Sequence, residues 1–227
     1  MMTNLFDQFA PPQMFGLTLT PITIMLPLPL MVVSTNRLIG NRTTTLMTWI
    51  IKKTTKHFML PMSKKGQKWA PMLTSLFLLL LMVNIIGMLP YTFTPTTQLS
   101  MNMALAIPLW LGTVLTGLRT QPSMTLAHLL PEGTPTLLIP VLVIIETISL
   151  LMRPLALSVR LTANLTAGHL LLQLISTTSL MTTKLSMMLV PLPTLLLILL
   201  MMLELAVAMI QAYVFTLLVC LYLQENT

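Results

Sequence analysis

The chain has 227 residues, 55% of them hydrophobic and 7% charged, with a formal net charge of +7 and a mean hydropathy of +0.88. Soluble domains carry about 25% charged residues, so a chain this poor in charge excludes a soluble globular fold and points to lipid as its solvent. Cys220 is the only cysteine, which excludes a disulfide framework and a thiolate metal site.

In chain order, the first candidate element is Met14–Val33, an apolar stretch long enough to cross a hydrocarbon core of about 30 Å. Pro21, Pro27 and Pro29 make it a kinked or frayed span (span 1, 14–33). The preceding MMTNLFDQFAPP has no basic n-region, no small-residue cleavage site and no arginines of a transit peptide. The chain is therefore expected to insert from the compartment where it is made, or to keep an uncleaved first span.

Ser34–Gly66 is different. Leu38, Leu46, Trp49, Ile50 and Phe58 are interleaved with Arg42, Lys52, Lys53 and Lys56. The pattern predicts a basic amphipathic helix over 36–58, lying on the membrane surface with Trp49 at headgroup depth. Eight of the 12 basic residues fall between Arg37 and Lys68, with no Asp or Glu among them. That imbalance reads as the positive-inside signal of a loop beside anionic lipid, and no nucleic acid partner is expected.

From Trp69 to Leu118 no residue is charged, and Pro90–Thr97 divides the stretch into spans 2 and 3 at 70–89 and 99–118. Gln121–Thr136, with Pro122, His128, Pro131, Glu132, Gly133 and Pro135, reads as a loop. Thr136–Thr178 holds Glu146, Arg153, Arg160 and His169 yet stays apolar between them. A helix over 137–178 would be about 65 Å long, roughly twice the hydrocarbon thickness, so it must be strongly tilted, or broken at Pro154. Ser179–Pro193 is the expected turn. Leu195–Leu223 is a second long helix, interrupted in its apolarity only by Glu204 and Gln211. The reading is an all-α membrane protein in a single integral membrane domain, 1–227. It has one surface amphipathic helix and about five transmembrane helices, the last two (137–178 and 195–223) forming a long tilted hairpin.

An ionisable residue inside a span costs several kcal/mol and usually marks an ion pathway. Glu146, Arg153 and Arg160 are seven apart, so each step drifts by only about 20° and the three share one stripe. Asn164 lies on the same side, and Ala156, Ala163 and Ala167 leave room for another helix to approach Arg160 closely. His169 is nine residues beyond Arg160 and faces away from it. A turn centred near Ser186 pairs residues whose numbers sum to about 372. His169 then lies opposite Leu203–Glu204, and Arg160 opposite Gln211–Tyr213. The sequence thus suggests a titratable pair on one side, a permanent cation at mid-depth and Glu146 on the other side: a proton route. Arg keeps its proton, with a pKa of about 12.5–13.8, so it would divide the route without relaying protons. The bland alternative makes Arg153 and Arg160 structural partners of Glu146 or of a neighbouring subunit, and His169 a core histidine. A lone transporter would need inverted repeats, and no repeat is visible. A respiratory-complex subunit would favour paired Lys–Glu or haem-ligating histidines in its spans, and only His169 lies in one.

The segment LSVRLTANLTAGHLL (157–171) resembles the signature of the subunit a family of the F-type ATP synthases. LELAVAMIQAYVF (203–215) is similar to the final helix of that family, and NIIGMLPY (84–91) to its second-span ending. The richness in Leu, Met and Thr resembles the vertebrate mitochondrial members. What the resemblance implies is a proton-channel subunit, a rotary-motor stator of the mitochondrial inner membrane. It would have two aqueous half-channels that couple proton flow to rotation of a ring of c subunits, and so to ATP synthesis.

On that resemblance Arg160 is the essential partner of the ring carboxylate, with Asn164, Gln211 and Tyr213 nearby. His169 and Glu204 mark the intermembrane-space half-channel and Glu146 the matrix-side one, while Arg153 is either a channel residue or an anchor. The implied partners are the c-ring, other membrane-sector and peripheral-stalk subunits, the bilayer and protons. No cofactor or metal is implied. No nucleotide-binding glycine motif is visible in the sequence, so the chain by itself is not expected to be the ATP-making enzyme. The basic loop 34–68 and the C-terminus are expected on the matrix side, the N-terminus and the 179–193 turn on the intermembrane-space side.

Overall fold

A computed structural model describes residues 9–14, 17–27, 41–60, 62, 66–89, 92–120, 122–127, 138–185, 188 and 190–226. Helix dominates them. In hydrocarbon every backbone N–H and C=O must find its partner within its own segment, and only the helix allows that to a single strand of chain. The many threonines obey the same constraint. Thr74, Thr113, Thr147, Thr177 and Thr182 each donate their hydroxyl to the carbonyl three residues back, so a polar side chain enters an apolar helix with its proton already satisfied.

The described chain begins with a two-residue antiparallel pair, β1 (Gln13–Met14) and β2 (Leu17–Thr18), followed by the short helix α1 (Thr20–Met25). This differs from a continuous span over 14–33. Pro21 sits in the first turn of α1, where its missing N–H costs nothing, and the helix stops just before Pro27. Residues 15–16 and 28–33 of that expected span lie outside the described residues, as do residues 36–40 at the start of the expected surface helix.

The remaining helices among the described residues are α2 (Arg42–Met59), α3 (Ala70–Gly87), α4 (Leu99–Thr120), α5 (Pro122–Ala127), α6 (Ile139–Leu185) and α7 (Pro191–Glu225). A 3-10 turn, Gly66–Trp69, leads into α3, and another, Pro95–Thr97, precedes α4. Among the described residues four helical stretches are long and apolar enough to cross a membrane: Gly66–Gly87, Leu99–Thr120, Ile139–Lys184 and Pro191–Glu225. The protein is an all-α, multi-pass membrane protein.

Two details depart from the pattern-based reading, and a third chooses between its alternatives. The expected loop Gln121–Thr136 contains α5, with Pro122 starting it; residues 121 and 128–137 lie outside the described residues. α6 runs unbroken through Pro154, whose ring is buried. The expected turn Ser179–Pro193 is largely absorbed into helix, because α6 continues to Leu185 and α7 starts at Pro191. Ser186, the expected centre of the turn, lies outside the described residues. With 47 residues, α6 is about 70 Å long, so it cannot stand upright within a core of about 30 Å.

The chain groups into two compact units. One comprises Met1–Val32, Leu78–Leu99 and Arg160–Tyr213. Its centre holds Leu80, Val83, Asn84, Leu161, Leu165, Glu204 and Ala208, all buried. Gly87 closes the reversal after α3: a methyl group there would collide with Thr94. The other comprises Val33–Phe77, Ser100–Val159 and Val214–Thr227. There Phe58 anchors α2, 3% exposed, edge-on to Phe77 at 5.5 Å, with the Cys220 thiol 3.7 Å from its carbonyl oxygen. Trp69 packs against Gly112, whose lack of a side chain admits the indole.

Candidate functional site

α6 carries Glu146, Arg153, Arg160, Asn164 and His169 on one continuous helix. Its buried side is formed by Leu157, Ser158, Leu161, Thr162 and Leu165. Arg160 stands on the other side, exposed, flanked by Ala156, Ala163 and Ala167, which are exposed as well. These residues fall at helical spacing and make one smooth stripe of small side chains around a guanidinium. Among the described residues no carboxylate lies within ion-pairing distance of Arg160, and no hydrogen bond joins it to Asn164 or Gln211. The structure therefore does not assemble those three polar groups into a bonded cluster. Asn164, Gln211 and Tyr213 are half-buried.

His169 and Glu204 are brought together. His169 Nδ1 lies 3.5 Å from Glu204 Oε1, and the Glu204 side chain is 3% exposed. Both carboxylate oxygens and His169 Nε2 are shielded from solvent with no hydrogen-bond partner among the described residues. Each unpaired buried polar atom costs about 1–3 kcal/mol, so a fold keeps such a group where it serves a purpose.

Room for the carboxylate comes from Gly168. A Cβ built there would stand 2.8 Å from Glu204 Oε1 and 3.0 Å from its Cδ. One turn of helix beyond Glu204, the Ala208 carbonyl accepts a hydrogen bond from Asn84 Nδ2 at 3.3 Å. Asn84 is 2% exposed, and it ties α3 to α7 beside the acid. Sequence reasoning assigned no role to Gly168 or Asn84. The signal for Gly168 was its place directly before His169; for Asn84 it was a lone amide in an uncharged span.

Arg153, for which the sequence left Glu146 or a neighbouring subunit as candidate partners, pairs within the chain but with neither of them. In place of Glu146, its Nη1 pairs with Glu225 Oε2 at 2.6 Å, and its guanidinium lies over the Tyr222 ring at 5.0 Å. Glu146 lies on the same helix a full two turns away. Glu225, at the end of α7, meets Arg153 head-on, and Tyr222 one turn earlier supplies the ring face that holds the cation. Glu146 is half-buried and makes no ion pair among the described residues.

A buried acid beside an imidazole can take up and release protons, and an unpaired cation on a smooth helical stripe can receive an external carboxylate. The family model for the ATP synthase A chain matches residues 14–224. A protein named ATP synthase F(0) complex subunit a from Struthio camelus is 61% identical over 223 residues, 98% of each chain. Its namesake from Latimeria chalumnae is 58% identical over the whole of both chains. That from Tropidurus hispidus is 63% identical over 213 residues, 93% of this chain and all of the relative. With a family model spanning nearly its full length, this chain belongs to the ATP synthase A chain family.

Proposed function

We propose that this chain is the proton-translocating subunit of an F-type ATP synthase membrane sector in the mitochondrial inner membrane. Arg160 divides two aqueous half-channels and couples proton flow to rotation of a ring of c subunits. The observation that carries the reading is Arg160 itself: a guanidinium near the middle of an apolar helix, exposed on a stripe of alanines, with no carboxylate partner among the described residues. Such a charge costs several kcal/mol in hydrocarbon. A carboxylate arriving from another subunit would recover that cost, and the alanines allow its helix to come close.

The chain's own groups then divide the work. Glu204 and His169 pass a proton from the intermembrane-space side to a ring carboxylate that has just left Arg160. Once neutral, that carboxyl enters lipid at small cost. On the matrix side Glu146 receives the proton that the returning carboxyl gives up, and Arg160 draws in the resulting anion. Because Arg160 keeps its proton, it repels further positive charge and blocks a straight leak between the half-channels. The driving force is the membrane potential, about 2.3 kcal/mol per charge per 100 mV, together with the pH difference. Asn164, Gln211 and Tyr213 line the path near Arg160. ATP is made by other subunits of the complex.

The test is Arg160→Ala in the assembled complex. Proton-driven ATP synthesis should fall to background while native gels still show intact complex. Normal coupled synthesis in an assembled R160A complex would overturn the reading.

A further inference from the structure

Among the described residues of α2, the side turned from the protein carries an unusual mixture. Its inner side is Met47, Ile50, Ile51, Thr54 and Phe58, half-buried or buried. Its outer side combines the cations Lys52, Lys53 and Lys56 with large exposed apolar groups: Leu46 at 56%, Trp49 at 61% and Leu60, just past the helix, at 75%. Water alone would select against three such apolar side chains beside the lysines, and a dry protein interface would select against the lysines. The headgroup layer of a bilayer accommodates both.

Within this surface is a cleft of about 460 Å³, lined by Lys52, Thr55, Lys56, Met59, Leu60, Met62 and Gln67. Lys52 and Lys56 are one turn apart and so share a side of the helix, while the Thr55 hydroxyl donates to the Lys52 carbonyl at 2.9 Å. Met59, Leu60 and Met62 form an apolar wall. Lys53 is not part of this lining; its Nζ sits 4.8 Å from the centre of the Trp49 ring. Two lysines and an amide, next to a wall of thioethers and a leucine, match a phosphate ester attached to an acyl chain. No Asp or Glu occurs between Arg37 and Lys68 to compete for the lysines. Charge complementarity and the apolar wall together favour a lipid over free phosphate, which would leave Met59, Leu60 and Met62 unused.

We propose that the cleft between the C-terminal half of α2 and Gln67 is a binding site for one anionic phospholipid, its phosphate held by Lys52 and Lys56 and its chain laid on Met59, Leu60 and Met62. The site is independent of the proton-path reading, and its failure leaves that reading untouched.

The experiment uses the assembled synthase in proteoliposomes. A phosphatidylglycerol with a photoactivatable diazirine in its acyl chain is the probe, phosphatidylcholine with the same chain is its control, and cross-links are mapped by peptide mass. The glycerol lipid should label residues in the 52–67 region and the choline lipid should not. Each ammonium near an anionic headgroup contributes about fivefold in binding, so K52Q/K56Q should weaken labelling by roughly 25-fold, and K52R/K56R should restore it. Equal labelling by both lipids, or labelling indifferent to K52Q/K56Q, would overturn the proposal. So would displacement of the probe by millimolar inorganic phosphate, which would make free phosphate the ligand. Cross-links from this region to another subunit in place of lipid would also overturn it, making the face a protein interface. Should K52Q/K56Q fail to assemble, competition in the unaltered complex decides. Unlabelled phosphatidylglycerol should displace the probe and unlabelled phosphatidylcholine should not; equal displacement by the two refutes the site.

Discussion

Glu204 occupies a place that a carboxyl group takes only with help. It is 3% exposed, faces His169 at 3.5 Å, and fits because residue 168 has no side chain. The pair separates packing from chemistry in a way that can be measured. Glu204→Gln keeps the shape and removes the titrating group, so proton-driven synthesis should fall by about 10²-fold or more, with the complex still assembled on native gels. Gly168→Ala does the reverse: the acid remains, but the new methyl pushes the far end of its side chain away from His169. Because that end can shift, folding should survive, while passive proton flux through the membrane sector drops by roughly tenfold, within the range that misplacing a reacting group by about 1 Å allows. Unchanged flux in G168A would mean that the spacing of the pair is irrelevant to proton transfer.

At the scale of elements, the two arginines of α6 behave differently although they sit on one helix and one stripe. Arg153 is tied to the end of α7 by Glu225 and covered by the Tyr222 ring. Among the described residues Arg160 has no such tie. A neutralised guanidinium is an anchor, so Arg153→Gln should leave coupled synthesis within about twofold. Its side chain and that of Glu225 are 29% and 54% exposed. A double-mutant cycle of R153Q and E225Q, read from thermal dissociation of the complex, should therefore give a coupling of about 1 kcal/mol or less. Loss of synthesis in R153Q comparable with R160A would instead place Arg153 in the path. The sequence could not choose between these roles. Spacing along α6 left Glu146 or a neighbouring subunit as candidates, whereas the actual partner is 72 residues away on another helix.

Over the whole molecule, the arrangement predicts sidedness by counting crossings. Among the described residues between Lys53 on α2 and Met188 lie three candidate spans, Gly66–Gly87, Leu99–Thr120 and Ile139–Lys184. An odd number of crossings puts the two positions on opposite sides. On the proposed function, the basic stretch around α2 puts Lys53 on the matrix side. The native thiol does not interfere, since Cys220 is 1% exposed. A cysteine replacing Met188, which is 92% exposed, should react with an impermeant maleimide from the intermembrane-space side, and one replacing Lys53 only from the matrix side. Labelling of both from the same side would refute the topology.

What the sequence determined by itself is the class of fold and the facing of His169 and Glu204. A bilayer imposes a length and an apolar composition on every crossing, and helical periodicity then fixes which residues share a side. That is why Trp69–Leu118 could be read as two spans, and why the antiparallel sum near 372 put His169 opposite Glu204. The tertiary structure decided what depends on contacts between distant segments. It made Gly168 the space for Glu204, Asn84 the tie to Ala208, and Glu225 the partner of Arg153. It also carried α6 through Pro154 and past Ser179, because a helix in an apolar medium has no water to take up the backbone groups that a break would free.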